Sequence, residues 1–211
     1  MNGITLYVPL LCFTLFLYTG CCFERPECKD YYRIYLPLNI EPLQQSYQLN
    51  DTIRITADFS QEILDSNSLQ YIDFNFPGTW NVMYLISIDS IGQPDAFPDF
   101  ELLADSLEVK VVSHATNNRY VSFLNSGGRY TIDFQLIPKQ PGIYLMGFNI
   151  GFHHSFIIKC CGEEVINEYL NVNNGAHNNY SLLMLSPDTS IQQIPFKVFR
   201  ESGNFAFQVM E

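Results

Sequence analysis

Apolar and polar residues alternate through much of the chain after residue 30. Every second residue is apolar in the stretches "NDTIRITADF" and "RYTIDFQLIP", namely Ile53, Ile55, Ala57 and Phe59 in the first and Tyr130, Ile132, Phe134 and Leu136 in the second. This period of two predicts antiparallel strands with one face buried and one face in water. Further candidate strands are "YRIYLPLNI", "WNVMYLISID", "LEVKVVS", "RYVSFL", "GIYLMGFNI", "HSFIIKC", "EVINEYLNV", "YSLLML" and "NFAFQVM".

Turn-forming residues separate these segments. The turn signals are Asn50-Asp51, Pro77-Gly78, Gly127-Gly128, Pro141-Gly142, Asn174-Gly175 and Gly203-Asn204. Short strands at such intervals predict an all-β fold, an antiparallel β-sandwich that occupies residues 31–211. Helix is expected only as single turns, at "SQEILDS" and at "DTSIQQIPFKVF", where Pro195 limits the length of a helix.

The composition agrees with a folded, acidic domain. Of the 211 residues, 47% are hydrophobic, which is enough to fill a core, and 15% are aromatic. The chain has 22 Asp and Glu against 11 Lys and Arg, which gives a net charge of −11. Since no cluster of Lys and Arg is present to neutralise phosphates, we expect no nucleic-acid partner. Anionic membranes also repel this charge, so membrane attachment requires a hydrophobic anchor.

The first 20 residues form such an anchor signal. Residues 4–19 are almost entirely apolar, and Gly20 and Cys21 follow them directly. This pattern resembles the lipobox of bacterial lipoproteins, in which a small residue precedes a Cys that receives a lipid. The resemblance implies a cleavable signal peptide at 1–20, lipidation of Cys21, and a tether at 21–30. An uncleaved apolar anchor and an ordinary secreted protein are the alternatives.

The resemblance also implies a location. We expect the protein in the bacterial cell envelope, attached to a membrane through the lipid, with the outer membrane as the expected site. Whether the domain faces the periplasm or the outside stays open. Four further thiols then lie in an oxidising compartment, which suggests disulfides among Cys22, Cys28, Cys160 and Cys161. A bridge between neighbours 160 and 161 would be strained, so at least one link from the N-terminal segment to this pair is favoured.

A metal site in "HHSFIIKCC" is the competing interpretation of those cysteines. If the segment is a strand, His154 and Cys160 lie about 20 Å apart, at about 3.3 Å per residue. Zinc ligands must lie within about 2.3 Å of one ion. We therefore predict no metal site here and no cofactor.

Two aromatic residues resemble features of immunoglobulin-like sandwiches. Tyr144 begins a strand just after the turn at Pro141-Gly142, as does the tyrosine that bonds back across a strand corner in those domains. Trp80, the only tryptophan, opens the segment that corresponds to strand C, whose Trp is usually buried. Met146 stands where those domains have a disulfide-forming Cys. The resemblance implies an immunoglobulin-like β-sandwich.

The sequence also resembles a group of uncharacterised bacterial lipoproteins. The shared stretches are "NDTIRITADF" early in the chain, "QPGIY" in the middle and "GNFAFQV" near the end. This resemblance spans most of the predicted mature chain, but it implies no activity.

Motifs for catalysis are absent from the sequence, so we expect a binding or structural module and no enzyme. The densest acidic loop, "DSIGQPDAFPDFE", is expected to be a solvated connection, with calcium binding as the alternative; its acidic side chains are Asp89, Asp95, Asp99 and Glu101. Trp80 in "FPGTW" is the candidate platform for a sugar ring, although burial in strand C is favoured over exposure. The alternative function is therefore carbohydrate binding through loop aromatics. A glycan or an envelope protein is the expected partner.

Overall fold

The computed structural model describes residues 31–73, 80–92, 94–104, 109–111, 118–149, 155–158 and 162–211. The chain forms two compact units. The larger contains Arg33–Phe152 and Glu168–Glu211, and the smaller contains Met1–Tyr32 and His153–Asn167. The described part of the smaller unit includes a short antiparallel hairpin, in which Ser155 pairs with Val165 and Ile158 pairs with Gly162.

Strands make up most of the described residues, as the alternating sequence predicts. In chain order they are β1 (Tyr31–Glu41), β2 (Ser46–Gln48), β3 (Ile53–Ser60), β4 (Glu62–Leu64), β5 (Tyr71–Asp73), β6 (Trp80–Ser87), β7 (Phe100–Ala104), β8 (Val109–Val111), β9 (Asn118–Ser122), β10 (Leu124–Ser126), β11 (Arg129–Pro138), β12 (Gly142–Asn149), β13 (Ser155–Ile158), β14 (Gly162–Val172) and β15 (Phe205–Met210).

These strands form two sheets and a separate hairpin. The first sheet has the order β10-β11-β3-β1-β14-β13, and β7 also pairs with β11. The second sheet has the order β2-β15-β12-β6-β9-β8, in which the edge strand β2 runs parallel to β15. Strands β4 and β5 pair only with each other within the described residues. The prediction of an all-β sandwich is confirmed, but the purely antiparallel pairing that was predicted is wrong, since the parallel strand β2 makes the second sheet mixed.

The apolar faces of β3 and β11 are those that the sequence predicts. The two strands are antiparallel, and their register places Ile55 opposite Phe134 and Phe59 opposite Tyr130. All eight predicted core residues on these strands are buried. On the solvent face, two ion pairs cross the strands: Arg54 pairs with Asp133, and Arg129 lies 2.7 Å from Asp58. Exposed pairs of this kind stabilise little, so burial of the other face fixes the register.

Aromatic rings join the two sheets in the middle of the larger unit. The ring of Phe100, from β7 in the first sheet, lies 4.8 Å from the ring of Tyr144 and 5.9 Å from that of Phe207, both in the second sheet. Both contacts are edge-to-face, a geometry that aromatic quadrupoles favour. The hydrophobic core therefore lies between the sheets.

The second sheet is buried on both faces, which the sequence does not predict. Consecutive residues Tyr144, Leu145 and Met146 in β12 are all buried, as are Phe205, Ala206 and Phe207 in β15. The outer face is covered by a helical layer, which consists of a 3₁₀ helix at Tyr180–Leu185, helix α1 (Thr189–Gln192) and helix α2 (Phe196–Glu201). Its packing forms one cluster with the sheet: Ile86, Ile88, Leu145 and Ala206 from the strands, and Leu182, Leu183, Ile191 and Phe199 from the helical layer.

Local chemistry explains the short helices. Asp188 caps α1 by accepting a hydrogen bond from the Ser190 amide at 2.9 Å. Pro195 then separates α1 from α2, because a proline disfavours helical backbone at the residue before it. The expected helical turns in "DTSIQQIPFKVF" are therefore present. The prediction of a strand at "YSLLML" is wrong, since this segment is the 3₁₀ helix, and the turn expected at "SQEILDS" is instead β4.

The β4–β5 hairpin holds the beginning of β1 in place. The buried carboxylate of Asp65 accepts hydrogen bonds from the backbone amides of Arg33 at 2.7 Å, Asn67 at 3.2 Å and Ser68 at 2.7 Å. Burial alone would raise the pKa of Asp65, but a hydrogen bond from the Ser68 side chain, together with these backbone bonds, outweighs it and holds the pKa below its ordinary value. The Ser66 amide in turn donates to the Arg33 carbonyl at 2.9 Å. The hairpin therefore fixes the backbone of Arg33.

Replacement of Phe199 tests the role of the helical layer. The ring is fully buried against the second sheet, so Phe199→Ala is expected to lower the free energy of unfolding by about 3–5 kcal/mol. The neighbouring Val198 is 50% exposed on the same helix, and Val198→Ala should change it by less than about 0.5 kcal/mol. Urea denaturation followed by circular dichroism measures both. Equal effects of the two substitutions would contradict the packing of α2 on the sheet.

Candidate functional site

A cavity of about 270 Å³ lies in the larger unit, where the outer faces of β1 and β14 meet the end of α2. Its lining residues come from four places along the chain: Tyr35, Leu170, Asn171, Gly175, Arg200 and Glu201. Aromatic, amide and charged groups thus face one small volume, which is a common composition for a ligand site.

The alternation in β1 places Tyr35 at the cavity. Ile34 and Leu36 point into the core and are fully buried, so Arg33 and Tyr35 point to the opposite face. Tyr35 is 38% exposed, an unusual state for an aromatic residue in the middle of a sheet. Its ring face is therefore available to a ligand.

A second tyrosine supports the ring of Tyr35. The rings of Tyr35 and Tyr169 lie 5.3 Å apart and are stacked, with an angle of 29° between their planes. The guanidinium carbon of Arg33 lies 5.0 Å from the centre of the Tyr169 ring, within the range of a cation–π contact. Arg33 also donates a long hydrogen bond of 3.5 Å to the Tyr169 hydroxyl. This hydrogen bond is the main reason that the pKa of Arg33 lies above its ordinary value. These contacts hold the two aromatic rings in a fixed arrangement.

The opposite wall depends on a close approach between α2 and β14. Ser202 forms a parallel bridge with Leu170, which places the end of α2 beside that strand. Gly203 follows with a φ of +66°, and a Cβ at this position would lie 2.6 Å from the Leu170 side chain. Only glycine satisfies both conditions without strain. Gly203 therefore allows Arg200 and Glu201 to reach the cavity.

An asparagine-rich turn supplies the remaining wall. Asn173 and Asn174 adopt left-handed backbone conformations, and Gly175 follows with a φ of +79°. The Asn173 side chain accepts a hydrogen bond from the Ile40 amide of β1 at 2.9 Å, which ties the turn to the strand that carries Tyr35. Asparagine and glycine tolerate this backbone better than other residues. The sequence prediction of a turn at Asn174-Gly175 is confirmed.

The charges at the cavity differ from those of the whole protein. The lining carries one positive side chain, Arg200, and one negative, Glu201, so it is neutral on a chain with a net charge of −11. Arg33 adds a positive charge beside the cavity, on the Tyr169 ring. The guanidinium carbon of Arg200 lies 5.8 Å from the ring centre of Phe196, which restricts its orientation. The lining can stack a ring, donate hydrogen bonds to an anion and accept hydrogen bonds from hydroxyl groups.

The predicted cysteine sites lie outside the described residues. Cys21, Cys22 and Cys28 fall within residues 1–30, and Cys160 and Cys161 fall within 159–161. The lipidation and the disulfides therefore stay predictions. In the described part of the chain, no helix has the length and apolar character needed to cross a membrane.

Among the described residues, the acidic loop contributes nothing to the cavity lining. Trp80 begins β6, opposite Ser122 of β9, and the exposure of its side chain stays a prediction. All four acidic residues of the loop have nearby partners. Asp89 accepts from the Ile143 amide at 3.2 Å, Asp95 accepts from the Phe97 amide at 3.1 Å, Asp99 lies 3.5 Å from the Tyr144 hydroxyl, and Glu101 pairs with Lys139 at 2.9 Å. Across the described ranges, no three Asp, Glu, His or Cys side chains are grouped to hold a metal ion.

Tyr144 makes the bond that its resemblance implied. Its hydroxyl donates to the Gln140 carbonyl, 3.1 Å away and four residues upstream, across the corner that precedes β12. The Asp99 carboxylate lies 3.5 Å from the same hydroxyl. Burial, together with the negative charges of Asp99 and Asp89, raises the pKa of Tyr144. Burial likewise raises the pKa of Asp99, and the negative charges of Asp89 and Asp95 raise it further.

Sequence reasoning missed the residues that form the cavity. The alternation in "YRIYLPLNI" places Arg33 and Tyr35 on one face and so contained part of the signal. It did not indicate that β1 pairs with β14, which lies more than 130 residues later and carries Tyr169. Arg200 lacked any signal, because the helical layer over the sheet was not predicted.

Comparisons with known proteins assign this chain to no family. No protein-family model matches the sequence, and no curated protein is significantly similar to it. A crystal structure of the human F-spondin reeler domain is similar with a TM-score of 0.32 and 12% identity, covering 70% of this chain and 93% of that one. The CupB6 tip adhesin from Pseudomonas aeruginosa has a TM-score of 0.22 and 12% identity, covering 69% of this chain and 43% of that one. Function must therefore be argued from the residues of this chain.

Removal of one hydroxyl tests the corner bond. Tyr144→Phe keeps the buried ring but loses the hydrogen bond to Gln140, so the free energy of unfolding should fall by about 1 kcal/mol. Tyr71 is 72% exposed, and Tyr71→Phe is the matched control, with an expected change below about 0.5 kcal/mol. Urea titration at neutral pH measures both. A Tyr144→Phe variant as stable as the control would show that the corner bond does not stabilise the fold.

Proposed function

We propose that this protein is a lipid-anchored component of the bacterial cell envelope whose β-sandwich acts as a binding or structural module. The observation that carries the binding role is the cavity, because it places an exposed ring, an amide and charged groups around one volume. Attachment rests on the apolar run that ends at Gly20-Cys21. The outer membrane is the proposed location, and disulfides among Cys22, Cys28, Cys160 and Cys161 would fasten the tether to the folded chain.

We also propose that the sandwich is of the immunoglobulin-like type. The order β1-β3-β11-β7 corresponds to sheet A-B-E-D of such domains, and β15-β12-β6 corresponds to sheet G-F-C. Tyr144 lies near the start of the strand that corresponds to F, and its corner bond supports the assignment. One difference is the position of β7 along the chain. It precedes β8 and β9, so the polypeptide crosses to the first sheet before these two strands are added beside β6 in the second sheet.

Loss of the modified thiol tests the anchor. Cys21→Ala removes the nucleophile that would accept the diacylglyceryl group, so labelling of the protein with radioactive palmitate in cells should disappear. Cys22→Ala is the matched control, one residue away, and should retain the label. Undiminished labelling of the Cys21→Ala protein would refute lipidation at this position. Loss of label in both variants would also refute it, because a single lipidated Cys21 does not require Cys22.

Carbohydrate binding is the second candidate function, and the stacked tyrosines favour it. A partly exposed tyrosine ring offers an apolar face to the carbon–hydrogen face of a sugar, while its hydroxyl stays in water. The support from Tyr169 fixes this ring before any ligand arrives, which reduces the entropy lost on binding. In this proposal Tyr35 takes the place that sequence reasoning gave to Trp80.

A glycan array probed with three variants tests this candidate. Tyr35→Ala removes the ring face and should weaken binding to any recognised glycan by about tenfold. Tyr71→Ala, which removes another exposed tyrosine, should bind like the unaltered protein. Trp80→Phe should also bind normally. If Trp80→Phe alone lost binding, the platform would be Trp80 and the assignment to Tyr35 would be wrong.

A further inference from the structure

The charges in the cavity narrow the class of sugar that it would take. Arg200 and Glu201 are adjacent in α2, and adjacent residues on a helix point in different directions. The ion pairs found within the described residues use Arg54, Arg129 and Lys139, so neither Arg200 nor Glu201 is paired in that part of the chain. Both side chains therefore have unused hydrogen-bonding capacity beside the ring of Tyr35.

Arg33 and Arg200 differ in what surrounds them. Arg33 is engaged with Tyr169 through the cation–π contact and the hydrogen bond, and it also experiences the negative charge of Glu201. Arg200 contacts the face of Phe196, which leaves the edge of its planar guanidinium group, with the N–H donors, free of that ring. Arg200 is therefore the lining cation whose N–H donors no ion pair within the described residues engages.

We infer that the cavity binds a sugar ring that carries a carboxylate, with the ring on Tyr35 and the carboxylate on Arg200. This inference rests on the sugar-binding candidate above. An arginine can hold a carboxylate through two parallel hydrogen bonds, a geometry that neutral sugars cannot use. Asn171 donates to and accepts from ring hydroxyls, and Glu201 accepts from them.

The volume of the cavity favours a single sugar residue. About 270 Å³ is slightly below the roughly 300–1,000 Å³ of sites for drug-sized ligands. At about 30 Å³ per water, it corresponds to about nine water molecules. Recognition of one terminal or isolated acidic residue therefore suits it better than recognition of a long polysaccharide.

Calorimetric titration of the full chain in detergent tests this inference directly. The ligands are glucuronate and galacturonate, each compared with its neutral parent sugar. One uronate should bind about tenfold more tightly than its parent, because a hydrogen bond to a charged group is stronger than a neutral one. Arg200→Gln should abolish this preference, so that the uronate binds no more tightly than its neutral parent. Arg200→Lys keeps the charge but loses the planar fork, so it should recover only part of the preference.

Arg129→Gln is the matched control. It removes the same charge from an exposed arginine outside the cavity, in the first sheet, so both variants have the same net charge. If the preference for uronate arose from overall charge, both variants would lose it, and the assignment to Arg200 would be overturned. Because Arg200 is exposed on the surface, its substitutions should leave the thermal unfolding midpoint within a few degrees of the original.

The remaining outcomes distinguish failure of the carboxylate assignment from failure of the proposed sugar binding. Binding of neutral sugars as tightly as of uronates would overturn the carboxylate assignment and leave sugar binding in place. Tighter binding of glucose 6-phosphate than of either uronate would overturn it in favour of a phosphorylated ligand. Absence of binding by any sugar would refute the carbohydrate function itself, while palmitate labelling of Cys21 reports separately on the anchor.

Discussion

Burial of the second sheet on both faces is the constraint on which the rest of the larger unit depends. Its central strands β12 and β15 carry apolar residues at consecutive positions, so one face meets the first sheet and the other would face water. The segment between β14 and β15 covers that second face with Leu182, Leu183, Ile191 and Phe199. The same segment carries α2 to the side of β14, where the bridge between Ser202 and Leu170 forms. The cavity is thus a consequence of covering the sheet.

For strands with one buried face, the sequence predicts both the strand and its core residues. The central strands of the second sheet could be predicted as strands, but their burial on both faces could not. In β3 and β11, the alternation alone identifies the core residues, because water covers the other face. "YSLLML" was misread because a short apolar run is compatible with a buried strand and with a helical turn. Its 3₁₀ conformation follows Asn179, whose left-handed backbone is fixed by side-chain bonds to the carbonyls of Gln44 and Ala206. Those partners are distant in sequence.

In the candidate site, too, local sequence predicts some features and the tertiary fold determines the others. The outward position of Tyr35 follows from local alternation in β1. Its partner Tyr169, the wall at Arg200 and the turn at Gly175 become neighbours only through the pairing of β1 with β14 and the approach permitted by Gly203. Trp80 was the candidate from the sequence because it is the only tryptophan. Tyr35 is one of 13 tyrosines, so composition does not distinguish it.

The distribution of the cavity walls along the chain has a thermodynamic consequence. Tyr35 belongs to the first strand and Arg200 to the last helix, so the two are adjacent only when the larger unit is folded. A ligand that bridges them would bind the native state and not the unfolded chain. By linkage, a ligand at 100 times its dissociation constant would stabilise the native state by about 2.7 kcal/mol. A bound ligand would therefore link the first strand to the last helix reversibly. The free energy of unfolding would rise as the ligand concentration rises.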